Sequence, residues 1–216
     1  MFADREEAGT LLGERVAALH LARPLVLGVA RGGVVVAARV AQALGAPLDV
    51  VVPRKIGAPR NPELAIGAVG PDGEVVVDGE LADLVGASPA YIALESRRQA
   101  EEVRRRLGMY RRELPPLDPE AMDVVVVDDG VATGHTVLVA VRALRSRRPA
   151  SLTVAVPVAP PEAVPRLRAE VDRVVCLSTP SPFYAVGQFY RYFPQVSDEE
   201  VGELLRTHRL RPPEPE

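Results

Sequence analysis

Between positions 124 and 136 the chain reads VVVVDDGVATGHT. Two adjacent carboxylates, Asp128 and Asp129, precede a short run holding Gly130, Ala132, Thr133, Gly134, His135 and Thr136. Carboxylates can accept hydrogen bonds from neighbouring hydroxyls. Glycines let a backbone turn tightly and approach a ligand, and threonine hydroxyls add donors. A ligand carrying both a phosphate and adjacent hydroxyls, such as a ribose 5-phosphate, would use both halves of this stretch. The elements needed to position it follow from the pattern. The valine run is apolar at every position, which suits a parallel strand covered on both faces. Its acids then fall at the carboxyl end of the strand, where open α/β sheets bind ligands. A helix beginning near Gly134 would aim its unpaired N–H groups and positive dipole end at an anion.

Two other segments carry positive charge at strand ends. LGVARGG, residues 27–33, reads as a strand ending in Arg31 and the pair Gly32 and Gly33. VPRKI, residues 52–56, holds Arg54 and Lys55, and Lys55 is the only lysine among 26 basic residues, which points to a need for a compact ammonium. A bland reading of residues 124–136 is an ordinary strand-to-helix turn with acids as caps, but two adjacent acids exceed what a cap needs. A receiver domain also ends a strand in Asp-Asp; it would require a later lysine, and none follows Asp129.

The 124–136 stretch resembles the phosphoribosyl diphosphate (PRPP) signature of type I phosphoribosyltransferases: a hydrophobic strand, an acidic pair, two variable residues, a small residue, Thr-Gly, one variable residue, then Ser or Thr. The resemblance implies that Asp128 and Asp129 hold the ribose hydroxyls and that Ala132, Thr133, Gly134, His135 and Thr136, with Gly130, form the 5-phosphate loop. It implies that Arg31, Gly32 and Gly33 bind diphosphate, with an unusual cis peptide near Ala30 and Arg31. Arg54 and Lys55 match an Arg-Lys pair of the orotate members, with the lysine on diphosphate. On this basis the catalytic candidates are Lys55, Arg54, Asp128 and Asp129. Magnesium is the implied cofactor, carried by PRPP, with Asp129 the one side chain considered to touch it. The stretch SPFYAVG resembles the hood of purine-salvage members, so Phe183 or Tyr184 would stack on a base and Val186 would shape the pocket. Two departures weigh against a 6-oxopurine acceptor: Ala132 replaces an Asp of the loop, and Arg191 replaces a metal-binding Asp. The implied partners are PRPP and a small-molecule acceptor, with a homodimer also in view. A non-catalytic PRPP or nucleotide sensor on the same fold is the alternative.

The surrounding pattern alternates strand and helix, as in a Rossmann-like α/β fold with a mainly parallel sheet flanked by helices. Strands are expected over 24–30, 48–54, 66–69, 74–77, 152–158 and 173–178, with residues 71–73 as a hairpin turn. Residues 57–70 read as a mobile active-site loop, with Arg60 a further anion contact. Asp4 and Glu7 read as a capping box opening the first helix. Ser88 and Pro89 open a long arginine-rich helix whose stripe is Ile92, Val103, Leu107, Tyr110 and Leu114, its other faces laced with Glu95, Glu101 and Glu102. The expected organisation is one domain over 1–216, with a helical insertion at about 79–121, a small C-terminal hood at about 178–211 and a disordered tail at 212–216. Phe189, Tyr190, Tyr192 and Phe193 are expected to pack the hood. A net charge of −3 gives no global field for nucleic acid. The single Cys176 allows no internal disulfide and reads as core. The N-terminus lacks a signal-peptide pattern and no apolar run reaches membrane-spanning length, so a cytoplasmic protein is expected.

Overall fold

The computed structural model describes residues 1–70, 75–112 and 114–209. In chain order the elements are α1 (Arg5–Ala17), β1 (Pro24–Val29), α2 (Gly32–Leu44), β2 (Leu48–Val51), β3 (Arg54–Ala58), β4 (Asn61–Val69), β5 (Val75–Val77), α3 (Gly79–Leu84) and α4 (Pro89–Arg111). They continue with β6 (Asp123–Val127), α5 (His135–Arg145), β7 (Ser151–Val158), α6 (Ala163–Arg168), β8 (Arg173–Ser178), a 3-10 turn (Val186–Phe189) and α7 (Asp198–Arg209). The main sheet runs β2-β1-β6-β7-β8, all parallel, and β3-β4-β5 form a separate antiparallel sheet. The expected α/β class with a mainly parallel sheet is what the chain adopts.

Both faces of the inner strands of the main sheet are covered, which is why β1, β6 and β7 are mostly apolar. Val26, Val125 and Val127 pack toward α1, α2, α4 and α7, while Leu25, Leu27, Val124 and Val126 pack toward α5 and α6. The chain leaves β1 toward β2 on one side and returns to β6 on the other. This places the switch point between β1 and β6, with Gly28 paired to Val127 near the two carboxyl ends.

Several boundaries differ from expectation. The strand expected over 48–54 stops at Val51, because Pro53 offers no N–H to a ladder. Arg54 and Lys55 therefore open β3 in the second sheet. Residues 57–70, read as a mobile loop, are mostly β3 and β4, where Ile56, Ala58, Ile66, Ala68 and Val69 are buried. Glycines and Pro62 concealed that pattern. The 71–73 turn and the 212–216 tail lie outside the described residues. Asp4 caps α1 by accepting from the Glu7 N–H at 2.9 Å, but the Glu7 side chain takes the N–H of Ala3 rather than that of Asp4. Cys176 is only half-buried, because β8 is the edge strand.

Helix α4 spans 23 residues, capped by Ser88, whose hydroxyl accepts from the Tyr91 N–H. Its buried stripe is Ser96, Ala100, Val103, Leu107 and Tyr110, at helical spacing. Some of its arginines pair with its own acids: Glu102 accepts from Arg105 and Arg106 and also from Arg54 of β3. At its far end Arg111 donates to the fully buried Asp49 of β2. Helix α7 packs Val201 and Leu205 into the main core, and the Glu200 N–H donates to Ser197 Oγ. No helix among the described residues is long and apolar enough to cross a membrane.

Candidate functional site

The carboxyl ends of β1 and β6 deliver two loops side by side. After β1 the Ala30-Arg31 peptide bond is cis, as the family resemblance implied, and α2 begins at Gly32. After β6 come Asp128 and Asp129. The two loops touch so closely that a Cβ on Gly32 would stand 2.0 Å from Asp129 Oδ2, and one on Gly33 would stand 2.9 Å from Asp128 Cα. Real side chains do not fit at such separations, so this glycine pair is a condition for bringing the acids and the Arg31 loop together.

The acids are held firmly. Asp128 Oδ1 accepts from the Asp129 N–H at 2.9 Å. Asp129 Oδ2 accepts from Arg5 Nε at 2.8 Å, and the Asp129 carbonyl accepts from the Tyr190 hydroxyl. Burial pushes the Asp128 carboxyl well above the usual range, and the charge of Asp129 pushes it further. Burial raises Asp129 as well, against the pull of the Arg5 guanidinium. Tyr190 is raised by burial and then by Asp129.

Beyond the acids the chain turns through Gly134, at φ 85°, a left-handed angle that glycine adopts without strain, into α5 at His135. His135 Nδ1 lies 3.1 Å from Thr133 Oγ1. Thr133, His135 and Thr136 line a cavity of about 650 Å³ together with Arg54 and Lys55 of β3 and Tyr91, Glu95, Arg98 and Gln99 of α4. The structure thus brings Lys55 to the candidate phosphate loop, although it sits in a different sheet. Arg54 lines the same cavity and is tied to Glu102 at 2.9 Å. Arg31, on the loop after β1, has its guanidinium 3.9 Å from Asp198. Asp198 also accepts from Tyr110, whose hydroxyl is pushed up to about 12 by burial and by that bond.

Val186 presses on the acid-pair loop, since a Cβ on Gly130 would stand 2.5 Å from Val186 Cγ1. Phe183 packs on Phe189 at 4.8 Å, and Tyr184 is 83% exposed. Tyr190 and Phe193 pack together as expected, whereas Tyr192, expected in the same cluster, is 67% exposed. Sequence reading missed three contributors: Arg5 on Asp129, Tyr190 on the backbone of the acid pair, and the α4 wall of the cavity. Arg5 had a signal. It shares a helix face with Ala8, Leu12 and Val16, all buried, where a charge implies a buried partner. Among the described residues there is no group of three or more His, Cys, Asp or Glu that could hold a metal. The two aspartates are hard oxygen donors of the kind magnesium takes, and Arg5 engages Asp129 through Oδ2. They fit a cation that arrives with phosphate and hydroxyl ligands of its own.

Residues 5–194 match the model of the phosphoribosyl transferase domain. The chain belongs to the phosphoribosyl transferase family. With its parallel sheet and the 124–136 signature it is a type I member. A Mycobacterium tuberculosis protein whose name assigns it provisionally to the phosphoribosyl transferases is 43% identical over 210 residues, covering 97% of this chain and 47% of that protein. The chain therefore spans about half the length of this relative. A crystal structure of a Thermus thermophilus protein is 48% identical, with a TM-score of 0.90, and covers 96% of this chain and 98% of that one. The likeness to that structure covers nearly all of this chain.

Proposed function

We propose that this chain is a PRPP-dependent phosphoribosyltransferase, moving the ribose 5-phosphate group to a nitrogenous base or related acceptor with release of diphosphate. The observation that carries the reading is the abutment of the Gly32 and Gly33 turn against Asp128 and Asp129, with the N-terminus of α5 next along the chain. In this reading Asp128 and Asp129 accept from the ribose hydroxyls. Residues 132–136 donate to the 5-phosphate. Arg31, Arg54 and Lys55 neutralise charge gathering on the departing diphosphate, the kind of stabilisation that lowers such a barrier most. Magnesium bound with PRPP would supply further positive charge at the same diphosphate. Val186 and the exposed Tyr184 border the acceptor, for which Ala132 and Arg191 disfavour a 6-oxopurine. Residues 1–216 act as one transferase domain, in keeping with a cytoplasmic enzyme of nucleotide metabolism.

A diphosphate-release screen with magnesium PRPP and a panel of bases tests the proposal. Lys55→Ala is expected to lower release by about 100-fold or more, as loss of one aimed donor to a developing anion does, with ribose 5-phosphate binding largely retained. Tight PRPP binding without diphosphate release on any base would instead support the sensor. No feature of the described residues favours that alternative.

A further inference from the structure

Arg5 is a charged residue in a place that the catalytic reading does not use. It is the first residue of α1 and is 8% exposed. Its guanidinium makes three contacts: Nε donates to Asp129 Oδ2 at 2.8 Å, one terminal nitrogen donates to the Pro194 carbonyl at 2.8 Å, and its Cζ lies 3.7 Å from the centre of the Phe193 ring. The same C-terminal segment grips Asp129 a second time, since Tyr190, stacked on Phe193, donates its hydroxyl to the Asp129 carbonyl. Backbone bonds fasten the N-terminus to this segment, with the Phe2 N–H on the Phe189 carbonyl and the Arg191 N–H on the Phe2 carbonyl.

The diphosphate turn is shaped around this ion pair. A Cβ at Gly32 would stand 2.0 Å from Asp129 Oδ2 and 3.0 Å from Arg5 Nε. The Asp129 and Arg5 side chains are 15% and 9% exposed, so the pair lies outside the class of surface bridges that contribute little. Its partner is one of the two acids assigned to the sugar. A guanidinium fixed at three points holds that carboxylate in one orientation, and hydrogen bonding to a ligand gains most when the acceptor is already aimed.

We propose that Arg5 is a positioning residue for ribose recognition, fixing the Asp129 carboxylate so that the sugar hydroxyls of PRPP meet a preset acceptor. This role rests on the PRPP reading above. Arg5 does not touch the ligand; it acts through Asp129. It therefore governs the sugar-dependent part of affinity and leaves the phosphate-dependent part to residues 132–136.

Calorimetric titration of inorganic phosphate and of ribose 5-phosphate separates the two parts. The ratio of the two affinities is read in the unaltered chain and in Arg5→Ala, Arg5→Lys and Phe193→Leu. Arg5→Ala is expected to lower the preference for ribose 5-phosphate about tenfold or more, the scale of a lost charge-assisted bond, with phosphate affinity unchanged. Arg5→Lys should restore part of it, because an ammonium can pair with Asp129 but cannot span to the Pro194 carbonyl as a fork does. Phe193→Leu keeps both charges and should give an intermediate ratio. An unchanged ratio in folded Arg5→Ala, or a raised one, would overturn the role. If Arg5→Ala does not fold, unchanged ratios in both of the other variants would overturn it equally. An unaltered chain that holds ribose 5-phosphate no better than phosphate would fail the PRPP reading itself, and the role with it.

Discussion

Asp128→Asn is expected to bind ribose 5-phosphate about 100-fold more weakly, the scale of losing a charged acceptor with two hydroxyl donors left unmet, while melting no lower than the unaltered chain. The Asp128 carboxyl is buried beside a second carboxylate, and both causes raise its folded pKa. The sign follows from linkage. A carboxyl that is harder to ionise in the folded state costs stability as pH rises from the unfolded value of about 3.9 through the folded one. Below that window both states are protonated and the cost vanishes. Asn has no such cost, and its side-chain oxygen can still accept the Asp129 N–H that Asp128 accepts now. The variant should therefore gain most in melting temperature at neutral and alkaline pH and converge with the unaltered chain near the unfolded value of about 3.9. Melting curves at several pH values, paired with calorimetry, check both halves. A variant that melts lower at alkaline pH would show that Asp128 is a structural acid.

The largest loss of stability is expected far from the ligand. Asp49 is fully buried and accepts from Arg111 Nε at 3.0 Å, from the Leu117 N–H at 3.1 Å and from the Val50 N–H at 2.8 Å. It joins β2 to the end of α4 and to the segment that follows. Asp49→Ala leaves the Arg111 guanidinium, itself 11% exposed, without its buried counter-charge. Breaking a buried pair in this way costs about 3–5 kcal/mol. For a chain of this size that corresponds to a fall in melting temperature of about 10 °C. Adding Arg111→Met should recover part of the loss, because the orphaned charge is then gone. Denaturant titrations of the single and double variants measure the coupling, and a double variant as unstable as the sum of the singles would contradict the account.

The two cases mark what the sequence made legible. Residues 124–136 announce their strand, their acids and their turn because all the information is local: four valines in a row, two acids, and a glycine where φ is positive. The cis bond at Ala30-Arg31 is expected through family resemblance alone. Long-range partners left weaker traces. Arg5 meets Asp129 across most of the chain, and only its position on an apolar helix face betrays it. Asp49 sits within a strand that otherwise reads as apolar, and Arg111 is one of many arginines on α4, so nothing local marks the two as a pair. Residues 66–69 of β4 read as a strand, and 67–69 do pair with β5, but the hairpin of β3 with the first half of β4 was hidden for a different reason. Its glycines and Pro62 imitate a loop, and its strand character comes from packing against α4, where the Tyr91 hydroxyl donates to the Gly57 carbonyl. That packing also brings α4 to the rim of the cavity, which no local pattern in an arginine-rich helix could reveal.

The central claim is that the acid pair and the 132–136 turn together hold PRPP. Titration of magnesium PRPP into the unaltered chain and into Asp128→Asn, followed by calorimetry, tests it most directly. The account predicts saturable binding to the unaltered chain at one site per chain, with affinity collapsing in the variant. Absence of binding to the unaltered chain, or equal binding to both, would contradict it.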